Sequence, residues 1–168
     1  MTELDHVWSQ MLIDAESRAD DTGRKHVSDY LRLRATNDAI RIGGVGWLFD
    51  TAVEIAVPAM SGPNPVTIER EEPHSFSRGS STMVGSLLRI RQGVRCLTIE
   101  AGWVRTPSDG IMQKGALVYA RISHFGMPKA GGEIRLVHAA SLPQWLDEAD
   151  AIVDSGGLRR HFEVFLGP

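Results

Sequence analysis

A single cysteine, Cys96, stands among 168 residues, so no internal disulfide can form. A chain of this length does not need one, because it can bury most of the surface its unfolded form exposes. Lysine is nearly as scarce, three residues against fifteen arginines. Long apolar runs are missing: nothing approaches the ~18 consecutive apolar residues that cross a bilayer. The first residues, Met1 to Asp5, are acidic where a secretory leader is basic. These absences set the expectation of a cytoplasmic protein with no membrane partner. Familiar chemical signatures are absent too. There is no phosphate loop, no nucleophile elbow, no H-E-x-x-H and no cysteine pair for zinc, so no cofactor and no metal is called for.

What is present is ordinary for a folded domain: 42 % apolar and 23 % charged residues, with a net charge of −3. This balance excludes a disordered chain and argues against wholesale attraction to nucleic acid. One domain is expected, 1–168, made of a helical segment 1–35, a β-rich core 36–140 and a helical segment 141–168.

Leu4, Val7, Trp8, Met11, Leu12, Ala15 and Ala19 recur at helical spacing. Thr2 is the expected cap and Gly23 the expected stop. A second short helix is expected over about 24–34. Gly43-Gly44-Val45-Gly46 lacks the third glycine of a dinucleotide fingerprint and reads as a bend or bulge where backbones approach closely. Residues 47–57 carry two patterns at once. Trp47, Phe49, Thr51, Val53 and Ile55 alternate, while Leu48, Phe49, Ala52, Val53 and Ala56 form a helical stripe; the β-branched residues and Pro58 favour a strand.

Further strands are expected around Val66–Arg70, Met83–Arg91, Val94–Arg105, Ala116–Ile122 and Ile134–Val137, with a tight hairpin at Gln92-Gly93. Ser75 to Ser81 reads as a serine–glycine loop. Ser141 is a candidate cap for a helix carrying Leu142, Trp145, Leu146, Ala149, Ile152 and Val153, stopped at Gly156-Gly157. Residues 158–166 fit helix and strand alike. The fold class is therefore α+β: an antiparallel sheet of six or so strands, curled toward a barrel and flanked by terminal helices.

Three constellations carry candidate chemistry. Glu69, Glu71, Glu72 and His74 form the densest polar cluster and supply the residue types for acid–base or metal chemistry, with His124 and His138 as the further ligands a metal would need. Arg89, Arg91 and Arg95 flank the hairpin, with Trp103 and Arg105 further along the second strand. Basic residues beside an aromatic on a sheet resemble the build of single-strand nucleic-acid binders. Arg78 stands in a loop of hydroxyls and glycine that can turn N–H groups toward an anion. Cys96 reads as buried and inert, and His6, His26 and His161 as surface or helix-face residues. The leading expectation is a non-enzymatic binding or accessory protein that engages an anionic ligand, nucleic acid or a protein partner through the arginine-bearing sheet face. The alternatives are a small hydrolase or metal enzyme built on the acidic cluster, and a structural protein whose strands pair with a second copy.

Overall fold

The structure, a computed structural model, describes residues 3–140 and 142–167. The chain runs α1 (Glu3–Asp21), α2 (Lys25–Ala56), β1 (Thr67–Arg78), β2 (Ser81–Gln92), β3 (Arg95–Trp103), β4 (Val118–His124), β5 (Gly132–Ala139), β6 (Leu142–Leu146) and α3 (Ser155–Leu166). It divides into two compact units, Met1–Gly43 and Gly44–Pro168.

The first unit is a helical hairpin. Gly23 ends α1 at φ 71°, a conformation that costs glycine little. Leu12 and Ala19 are buried between the helices. Trp8 donates to Asp38 (3.3 Å), Arg34 lies 4.9 Å over the Trp8 ring, and Arg32 pairs with Glu16 (2.9 Å).

The second unit is an open sheet in which every strand pairs antiparallel with its neighbours in sequence, β1-β2-β3-β4-β5-β6. It is α+β as expected, but the sheet does not close into a barrel. Gly93 turns at φ 58°, with Gln92 opposite Arg95. One face carries the core: Leu88, Ile90, Leu97, Ile99, Ala101, Ile122 and Leu136 are 0–1 % exposed. The end of α2 covers this face through Leu48, Phe49, Ala52 and Ala56, and Trp145 donates to the Gly44 carbonyl (3.2 Å). α3 adds Leu158, Phe162 and Phe165. On the opposite face Phe76, Met83, Ala116 and Tyr119 form a smaller cluster under Val104 and Met112.

Five expectations need correction. Residues 47–57 are helical, because the stripe of Leu48, Phe49, Ala52 and Ala56 is the buried one. The helix expected at 24–34 therefore continues through Ala56, and the glycines at 43–46 lie inside it rather than at a bend. Residues 142–146 form β6, not a helix; Leu142 and Ile152 of the supposed stripe are 66 % and 64 % exposed. The last helix instead begins where one was expected to stop, with Asp154 accepting from the Gly157 amide (2.9 Å) as its cap. Ser75 to Ser81 is not a loop, since β1 and β2 turn at Gly79-Ser80. The caps expected at Thr2 and Ser141 lie outside the described residues.

Although no run of consecutive apolar residues is long, the helix Lys25–Met60 is long and apolar enough to cross a membrane by length and composition, with 33 % of its most apolar window buried.

Candidate functional site

The register explains what meets on the face opposite the helices. Alternation along each strand sends Glu69, Glu71 and His74 to that face from β1, Arg89 and Arg91 from β2, Glu100 from β3, Arg121 from β4 and Glu133 from β5. Glu69 lies opposite Arg89, and Glu100, Arg121 and Glu133 occupy one row. The side chains join into a ladder of alternating sign. Arg91 meets Glu69 (3.9 Å), Arg89 meets Glu69 (4.0 Å) and Glu71 (3.3 Å), and Glu71 meets His74 Nδ1 (3.6 Å). His74 Nε2 lies 2.8 Å from Glu100, which also faces Arg121 (3.5 Å). Arg121 reaches Glu133 (3.7 Å), and Arg78 closes the series on Glu133 (3.0 Å) while lying 3.8 Å over the Tyr119 ring.

Four arginines and four glutamates thus neutralise one another around a central histidine. The pairs are mostly half-exposed, so each contributes at most about 1 kcal/mol. Their main effect is on the field, which carries no net excess of either sign.

The residues singled out in the sequence are only partly brought together. Arg89, Arg91 and Arg78 share the ladder face, each with a carboxylate. Arg95, paired with Gln92, points to the other face, where it donates to the carbonyls of Phe165 (3.1 Å) and Leu166 (2.7 Å) and holds the end of α3. Trp103 also lies on that face, with Arg105 stacked on it at 3.9 Å and donating to the Val84 carbonyl (3.3 Å). The pleat therefore separates Trp103 from Arg89 and Arg91. Glu69, Glu71 and His74 do meet, whereas Glu72 is exposed at the irregularity between Glu71 and His74. Cys96 is half-buried rather than buried, its Sγ 3.6 Å from Thr98 Oγ1.

No known protein family, curated protein or solved structure matches this chain.

His74, His124 and His138 do not converge, and among the described residues no group of three histidine, cysteine or acidic side chains is placed to hold a metal. His138 is exposed on β5 opposite Pro143. His124 instead ends β4 at 4 % exposure, with its Nε2 3.0 Å from Nδ1 of His161 on α3. The two rings are near-coplanar (23°) with centroids 5.3 Å apart, the separation of an end-on N–H···N contact. The two nitrogens are hydrogen-bonded to each other, leaving no room for an ion between them. Burial lowers the pKa of both rings, and the neighbouring His161 lowers that of His124 further. His161 is a half-buried residue on a face of α3, and Glu100, Arg121 and Glu133 complete a ladder whose sequence signal was only strand alternation.

Proposed function

We propose that the chain is a non-enzymatic assembly protein that associates through its N-terminal helical hairpin, with a second copy of itself as partner. The observation that carries this reading is a hairpin with almost no core. Among its described residues only Leu12, Ala19 and Ser28 are buried, whereas Val7, Met11, Tyr30 and Leu33 are 53–60 % exposed. On α2 the residues Tyr30, Leu33, Asn37 and Ile40 follow the 3-4-3 spacing of a coiled-coil seam. At ~100° per residue this stripe lies away from the one formed by Val27, Leu31 and Ala35. Asn37 takes a position where asparagine sets register, and Asp29 and Arg34 flank the seam with opposite signs, as the edges of paired parallel helices require.

The magnitudes allow it. Full burial of an apolar side chain gains roughly 1.5–3 kcal/mol, but Tyr30 and Leu33 are 60 % exposed and Ile40 is already half-buried, so covering them in two chains gains roughly 4–9 kcal/mol. That gross gain falls in the lower part of the ~4–15 kcal/mol cost of association, which makes the dimer a weak, concentration-dependent one.

The ladder supports the sheet-face reading less well, since Arg78, Arg89 and Arg91 already face carboxylates. A catalytic reading keeps one observation, the 2.8 Å contact of His74 with Glu100 beside Glu71. Among the described residues, however, the hydrogen-bonding partners of His74 are carboxylates, and no hydroxyl or thiol stands where the ring would activate it.

Light scattering on the full chain over the micromolar range tests the proposal. The expected result is a concentration-dependent dimer that L33E/I40E converts to a monomer with an unchanged far-ultraviolet spectrum. A wild-type monomer at every concentration refutes it. Salt-sensitive binding of single-stranded nucleic acid, lost when Arg89 and Arg91 are replaced, would move the function to the sheet face.

A further inference from the structure

We propose that the His124–His161 contact is a proton-operated latch, holding α3 on the sheet while both rings are neutral and releasing it when the pair takes up a proton.

The argument begins with where protons can sit. Two imidazole nitrogens 3.0 Å apart need one proton between them, so one ring donates and the other accepts. His124 Nδ1 is buried and has no hydrogen-bond partner. A buried N–H without an acceptor is rarely tolerated, so Nδ1 carries the lone pair and Nε2 the proton. His124 therefore donates to Nδ1 of His161. This arrangement has no place for another proton. Protonating His161 at Nδ1 sets two N–H groups against each other. Protonating His124 at Nδ1 creates a buried charge with nothing to receive its hydrogen bond, which costs several kcal/mol. The cheapest response is to part the rings.

The backbone of Ala130, hydrogen-bonded to His161, favours the charged ring, but burial outweighs it. Among the described residues the charged groups around the pair are Arg121 on β4, Lys129 on the turn after it, Glu133 on β5, Asp147, Glu148 and Asp154 on the segment leading to α3, and Arg160 beside His161. None bonds or ion-pairs with either ring, and the charge that acts on His124 is that of His161. The other anchors of α3 are apolar side chains, Phe162 and Phe165, and the bonds of Arg95 to the Phe165 and Leu166 carbonyls. The sign follows from burial. Both rings bind protons less readily when docked than at the ordinary value of about 6.5. Docking is therefore fully stable above that value and weakens as pH falls below it.

Amide hydrogen exchange of the full chain, corrected for intrinsic rates, compares α3 with β2 and β3 between about pH 7.5 and 5.5, above the carboxylate range. The expected result is that protection of Arg159–Leu166 falls as the pH is lowered from about 7.5 to 5.5, with β2 and β3 unchanged. His124→Gln keeps a donor for His161 yet can turn its carbonyl to accept, so the pH response of α3 is expected to shrink. Replacing both rings by glutamine removes both titrating groups of the pair, and the response is then expected to vanish. Wild-type α3 that stays equally protected at both pH values overturns the proposal, as does an unchanged pH response in a folded glutamine variant.

Discussion

Two glycines half a turn apart in α2 should respond in opposite directions to the same substitution. A Cβ at Gly46 would meet nothing within 4 Å, and the same holds for Gly43. A Cβ at Gly44 would lie inside contact distance of the Leu136 side chain, and Leu136 is 1 % exposed, so it cannot swing aside. In open helical positions alanine gains about 0.5–1 kcal/mol over glycine. G46A should therefore raise the melting temperature by roughly 1–4 °C for a chain of this size. At Gly44 the same gain is set against overpacking of about 1–3 kcal/mol, leaving a net loss on the order of 1 kcal/mol. Urea unfolding followed by tryptophan fluorescence and circular dichroism measures both variants. Because Gly44 and Gly46 lie in the same compact unit, the comparison does not depend on how the hairpin unfolds. If G44A proved as stabilising as G46A, the packing of α2 on β5 through Leu136 would be wrong.

Replacing Arg95 by alanine removes its bonds to two carbonyls at the end of α3 and should cost about 1–3 kcal/mol. Exchange in the last turn should rise equally at all pH values, unlike the latch response. Replacing Arg89 and Arg91 together by glutamine leaves Glu69 and Glu71 uncompensated where both are more than half exposed. The urea midpoint should fall by no more than the equivalent of about 1 kcal/mol for each of the three pairs lost, and by less at high salt; a larger loss would show that the ladder is structural.

The sequence exposed the hairpins of the sheet because local chemistry dictates them: Gly93 supplies the turn between β2 and β3, and the apolar residues of both strands alternate. It was ambiguous at 47–57, where β-branched residues favour a strand and only burial of Leu48, Phe49, Ala52 and Ala56 decides for helix. It misled at 142–157, where Pro143, Gln144 and a double glycine imitate a helix and its end. There Trp145 is drawn into the core by pairing with β5, and Asp154 turns the glycines into a first helical turn. The candidate sites were legible as residue types but not as partners. That Arg89 faces Glu69, or that His161 meets His124, depends on register and docking that no local spacing encodes.

The order of the strands also bears on how the chain reaches its fold. Each of the five strand pairings joins neighbours in sequence, so no pairing must wait for a distant segment to arrive. The entropy of closing each loop is small, and sheets built this way need little long-range search. The sheet can grow hairpin by hairpin as β1 through β6 emerge during synthesis, with the end of α2 already present to cover it. α3 comes last, and until it docks Leu158, Phe162, Phe165 and the sheet beneath them remain open to water. The interval between completing β6 and seating α3 is therefore when the nascent protein is most exposed to aggregation or capture by a chaperone.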